Sequence, residues 1–134
     1  MNNGVVYLDN AATTPLSPSV YKAMEPFLSA EYFNASSSYQ PAQNCRAAIE
    51  DARSFLARTL GARPAEVMFT SGGTEADNWA LKGLALAHKK RGKHLIVSSI
   101  EHHAVLESAH WLEQQGFEVT YLPVTSDGVA STAA

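Results

Sequence analysis

Cysteine occurs once in the 134 residues, at Cys45, which excludes an internal disulfide and fits a reducing compartment such as the cytosol. Long apolar runs are missing too. The uncharged stretch through 34–45 is polar, so nothing in the sequence predicts a membrane span. The opening MNNGVVYLDN has neither the basic start nor the apolar centre of a secretion signal. Positive charge is sparse: 10 Lys and Arg stand against 13 Asp and Glu, scattered, for a formal net charge of −3. That leaves no basic face for nucleic acid or an anionic membrane surface. Repeats and low-complexity tracts are absent. What is present is ordinary for a globular chain, 46% hydrophobic and 17% charged, which is too apolar for disorder. The length allows a domain with a real core. These observations predict a soluble cytoplasmic protein.

Along the chain, residues 5–8 form a short apolar run of strand type, closed by Asp9 and Asn10. Ser17 followed by Pro18 supplies an N-cap and a first-turn proline for a helix reaching about residue 28. A polar loop, YFNASSS, covers 32–38. Small and apolar residues then recur at helical spacing to Leu60, where Gly61 stops the helix. Beyond it the rhythm changes to strand 66–70, helix 74–91, strand 94–100, helix 103–115 and strand 117–124. Strands alternating with helices of this length predict an α/β fold with an incomplete parallel sheet, β-α-β-α-β, after an N-terminal helical arm. We divide the chain at 1–62, the arm and its helices, and 63–134, the first part of a larger sheet domain. The closing TSDGVASTAA ends on a helix-start signature at Ser131 and Thr132, as if an element stopped at its first turn.

Two stretches carry chemistry. Ser71-Gly72-Gly73-Thr74 lies between a strand-like run and a helix-forming run. Free N–H groups at such a helix start, with the positive end of the helix dipole, bind anions, and glycine lets an oxyanion approach the main chain. The same letters also fit a plain turn, with Thr74 as N-cap and Asp77 as its capping-box partner. The motif is not a Walker A loop, because the terminal Gly-Lys-Ser/Thr is missing. The second stretch, SSIEHHAV at 98–105, follows the next strand and would share a sheet edge with the glycine turn. A histidine there can stack on a planar ligand or move protons near neutral pH; it can equally be a surface or capping residue. Consecutive Glu101, His102 and His103 diverge, which argues against a metal site.

Taken together, YLDNAATTP at 7–15, FTSGGTEADNWALKG at 69–83 and SSIEHHAVLESAHWLEQQGFEVTYLPV at 98–124 resemble the N-terminal part of the cysteine desulfurases, which belong to the class V aminotransferase group of pyridoxal-phosphate enzymes. The resemblance implies pyridoxal 5'-phosphate as cofactor, with its phosphate on Gly73 and Thr74 and its ring under His102, which also serves as acid or base. Asn34 and the serines after it match a loop near the family's active site, although Ala35 replaces a proline and Tyr39 stands where histidine is common. The implied reaction takes sulfur from L-cysteine, leaves L-alanine, and passes sulfur through an enzyme persulfide to an acceptor or iron-sulfur scaffold protein, in a homodimer. Family members are several times longer. The cofactor-holding lysine, the aspartate at the ring nitrogen and the persulfide cysteine have no counterpart here: Lys82 lies on the helix after the turn, and Cys45 reads as a small packed residue. We therefore expect this polypeptide alone to be inactive, with strand 66–70 short of neighbours while 94–100 and 117–124 still pair. Other chemistries of the same group (selenocysteine lyase, kynureninase, aminotransferase), a non-catalytic gene remnant and a histidine-based metal module are the competing readings.

Overall fold

The computed structural model describes residues 4–130, so the helix start expected at Ser131 and Thr132 lies outside the described residues. The chain forms two compact units, Met1–Met68 and Phe69–Ala134.

The first unit is helical. Helix α1, Pro18–Ser29, begins where Ser17 Oγ accepts the Val20 N–H at 3.3 Å. Pro26 sits inside its last turn, where the missing N–H costs only one intrahelical bond. Helix α2, Gln40–Leu60, is entered through Pro41 and ends at Gly61. Gly61 has φ +66°, a left-handed cap that sends its N–H back to the carbonyls of Ala57 and Arg58. Ala42, Cys45 and Ala57 are the buried residues of α2. Cys45 Sγ donates to the Glu31 carbonyl at 2.9 Å, which makes it a packed thiol facing the 30s loop. The Arg46 guanidinium fixes that loop from α2, with Nε donating to the Ala35 carbonyl at 2.7 Å and Nη2 to that of Ser37 at 3.4 Å.

Two expected strands do not form. Residues 5–8 form no strand and are exposed, and a short 3-10 turn, Pro64–Glu66, takes the place where strand 66–70 was expected to start. Arg63 and Glu66 lock that turn: the Glu66 carboxylate accepts the Arg63 N–H at 2.7 Å and its guanidinium at 2.8 Å. Those bonds hold the Glu66 carboxyl below its ordinary range, the guanidinium bond being the larger cause. A strand needs a ladder to satisfy its backbone groups. Among the described residues neither segment has one.

The second unit is a β-α-β core with a preceding helix. Helix α3, Gly73–His88, leads through a tight turn into strand β1, His94–Ser98. Helix α4, His103–Gln114, crosses to strand β2, Glu118–Leu122. The strands pair in parallel, His94 with Glu118 through to Ser98 with Leu122. The fold is thus α/β, with two paired strands in place of three. One sheet face carries Leu95 and Val97 of β1, with Val119 and Tyr121 of β2, toward α4: the Tyr121 hydroxyl donates to Glu113 at 3.2 Å. Burial against α4 and the Glu113 carboxylate push the Tyr121 phenol up from its ordinary value. The core is small and tight, with Val97, Ala104, Ser108, Ala109, Leu112 and Phe117 all buried. Ser108 is tolerated there because its hydroxyl donates to the Ala104 carbonyl at 2.7 Å. The opposite sheet face is open, and Ile96 on it is 59% exposed. On α3, Trp79 is 53% exposed and Leu84 63%, so apolar side chains of that helix lie uncovered.

Candidate functional site

The glycine turn is built from its own backbone. Gly72 is the N-cap of α3, and the first intrahelical bond is Ala76 N–H to the Gly72 carbonyl. Gly73, Thr74 and Glu75 therefore bring the N–H groups that precede the helical ladder, at the positive end of the dipole. The whole turn is exposed. Neither glycine is demanded by the chain itself. Gly72 has φ 166°, extended backbone that any residue adopts, and Gly73 is helical. A Cβ added at either would meet nothing within 4 Å. Gly61 has a conformational reason to be glycine; Gly72 and Gly73 have none inside this chain. The open face over residues 72–74 is a space in which a bulky anion meets bare main chain, which is what a phosphate group requires.

The Glu75 carboxylate, in the first turn of α3, bonds back to Ser71. Glu75 Oε2 accepts both the Ser71 N–H and the Ser71 hydroxyl, each at 2.7 Å. These two bonds, the backbone one first, hold the Glu75 carboxyl below its ordinary range. The sequence offers Thr74 and Asp77 as a capping pair; the structure instead has Gly72 as N-cap and joins Ser71 to Glu75, four residues apart. Thr74 instead offers its carbonyl to the Asn78 side-chain amide at 2.9 Å. A serine two places ahead of the first free helical N–H, with a glutamate four residues after it, was the available signal for this clasp.

His102 is the N-cap of α4, and its Nδ1 accepts the Ala104 N–H at 3.1 Å. Its neighbour His103 opens the helix, with the two rings 6.3 Å apart and inclined at 67°. The capping alternative left open from the sequence is therefore realised in part: the ring caps, and it is still exposed.

The turn and His102 belong to one end of one helix pair. Helices α3 and α4 pack together, and the Lys82 ammonium lies 5.0 Å from the centroid of the Trp111 ring. Lys82 is nine residues into α3 and Trp111 eight into α4, so both stand about 12–14 Å from their helix starts. The C-termini of both helices lead into the amino ends of the parallel strands, α3 through a compact turn at 89–91. The helices therefore run side by side in the same direction. Their starts, carrying 72–74 and 102, share the level of the sheet's carboxyl edge, the edge where ligands of open α/β sheets gather.

The remaining candidates fall elsewhere. Lys82 Nζ donates to Asn78 Oδ1 at 2.6 Å and is taken up in the helix pair. Asn34 shapes its own loop, its Oδ1 accepting the Ser36 N–H at 2.9 Å, within the first unit. Among the described residues no three His, Cys, Asp or Glu side chains come together as a metal site would need. No helix among them is long and apolar enough to cross a membrane.

Comparison with known proteins gives a consistent result. Residues 6–134 match the family model described as aminotransferase class-V. A protein named cysteine desulfurase IscS from Methanosarcina thermophila is 54% identical over 129 residues, covering 96% of this chain and 32% of its own length. A solved NifS-like protein superposes with a TM-score of 0.84 at 39% identity, over 91% of this chain and 34% of that one. A structure described as SspA in complex with cysteine superposes with a TM-score of 0.76 at 44% identity, over 83% of this chain and 32% of that one. The chain spans about a third of the length of the relatives it matches.

Proposed function

Because this chain belongs to the class-V aminotransferases, we propose that it is the cofactor-cradling part of a pyridoxal 5'-phosphate-dependent cysteine desulfurase. The observation that carries the proposal is the pair Gly72 and Gly73, bare backbone for which the chain has no internal use. Gly73 and Thr74 donate their N–H groups to the cofactor phosphate, and the Thr74 hydroxyl is at hand as a further donor. The α3 dipole adds to the attraction, and the Glu75 carboxylate is engaged by two hydrogen bonds from Ser71. His102, at the same end of the helix pair, lies against the cofactor ring. When bound, pyridoxal phosphate supplies an electron sink for bonds breaking at an amino-acid substrate.

In this reading the substrate is L-cysteine, the product L-alanine, and the sulfur passes to an acceptor protein of iron-sulfur cluster synthesis. The working enzyme is a cytoplasmic homodimer. The thiol that carries sulfur is not Cys45, whose Sγ is buried and committed to Glu31. That role, and the lysine that holds the cofactor, fall to the part of the relatives' length that this chain does not span.

The test is a titration of the purified 134-residue chain with pyridoxal phosphate, followed by amide resonances. Selective shifts at Gly72, Gly73 and Thr74, competed by inorganic phosphate, are expected. No borohydride-reducible absorbance band should form. Shifts that avoid the 72–74 turn would overturn the proposal.

A further inference from the structure

The hydrogen bond from the Ala104 N–H to His102 Nδ1 has a chemical consequence for the ring. A backbone N–H only donates, so Nδ1 must carry a lone pair. A neutral imidazole has a single N–H, which then resides on Nε2. From this we infer that His102, while it caps α4, is a fixed hydrogen-bond donor through Nε2–H and not a proton shuttle.

Each route for a proton leads to the same point. Nε2 has no lone pair with which to accept. If Nε2 gave up its proton, the product would be an imidazolate, or a ring with its proton on Nδ1 facing the Ala104 N–H. In the second case two donors would meet and the cap would be lost. Protonating Nδ1 displaces the Ala104 N–H directly. Proton traffic through this ring therefore requires the cap to open, whereas a ring left in place presents a donor at Nε2 and a flat face. The inference rests on the cofactor reading only for what that donor meets, an acceptor atom on the bound ligand. The tautomer itself is a property of this chain.

Imidazole nitrogen-15 shifts measure it, in histidine-labelled chain at a pH where the rings are neutral, with His102 assigned by its loss in His102→Gln. The wild-type ring should show a protonated Nε2 and a bare Nδ1. Ala104→Pro removes the donor at a first-turn position where proline is accommodated. The Nδ1–H population should then rise roughly three- to tenfold, as expected for losing one net hydrogen bond. A second measurement needs no variant: the wild-type Ala104 amide should shift when the His102 ring is protonated. A majority Nδ1–H form in the wild type would overturn the inference. So would an unchanged tautomer ratio in folded Ala104→Pro, or an Ala104 amide that ignores the ring. The pyridoxal phosphate titration at the 72–74 amides is read separately: its failure defeats the cofactor reading and leaves the tautomer result standing.

Discussion

Glu75 holds Ser71 by two hydrogen bonds of 2.7 Å, one from the backbone N–H and one from the hydroxyl, so the acidic residue of the glycine turn faces backward along the chain. The arrangement bears on a conflict visible in the letters SGGTE. A carboxylate at the third position of a helix suits the dipole but would repel a phosphate; here it is engaged by two donors on Ser71.

A pH dependence follows from that clasp. The folded-state pKa of Glu75 is depressed relative to its ordinary 4.5, with the Ser71 N–H as the larger cause. Its contribution to the turn is therefore fully present above about pH 4.5 and is lost as pH falls through the lower, folded value. The Ser71 amide resonance should titrate with a midpoint below 4.5, and Glu75→Gln should abolish that step. A Ser71 amide insensitive to pH in this range contradicts the geometry.

Glycine substitutions should separate fold from ligand. Gly61→Ala forces an alanine into a left-handed cap and should lower stability by about 1–2 kcal/mol. Gly73→Ala lies in helical backbone with open space around it, and should leave stability unchanged or raise it by up to about 1 kcal/mol. The same Gly73→Ala should weaken pyridoxal phosphate binding. Urea midpoints and the amide titration read the two effects independently; a large stability loss in Gly73→Ala would mean that the fold, not a ligand, needs the glycine.

Capping predicts an asymmetry at His102. His102→Ala removes the acceptor for the Ala104 N–H and should cost about 1 kcal/mol of stability. His102→Asn, whose side-chain oxygen can accept the same N–H, should recover most of it. Thermal denaturation of the two variants gives the comparison, and equal losses would deny the ring its capping role.

Cys45 should react slowly with thiol reagents, at a rate set by local opening, because its sulfur is buried and bonded to the Glu31 carbonyl. Cys45→Ala should cost about 1–2 kcal/mol from lost packing and an orphaned carbonyl, with no specific effect on cofactor binding. Immediate labelling in the native chain would place the thiol outside the core.

Much of this architecture was legible because local chemistry decided it. Ser17-Pro18, Gly61 and the alternation from 94 onward mark α1, α2 and the β1–α4–β2 unit within a residue or two of where they lie, and the pairing of the two later strands was foreseen. The failures at 5–8 and 66–70 share one cause. An apolar run specifies willingness to be a strand, whereas being one depends on a partner remote in sequence, and among the described residues none is supplied. The site was legible as two motifs and their common edge. The cap by His102 was one of the alternatives the sequence left open, and its choice, like the clasp of Glu75 on Ser71, hinges on which rotamer wins between a backbone donor and open solvent.

Among the described residues, the buried side chains of the second unit lie in β1, in α4 and at Phe117 just before β2, while α1 has none. Resistance to solvent exchange should follow that map: amides of Val97, Ala109 and Leu112 should outlast all others, and α1 should exchange at once. A brief digestion ought accordingly to consume the first unit before the second, whose helices α3 and α4 pack together. The histidine-bearing start of α4 would then survive in the last folded remnant together with the glycine turn.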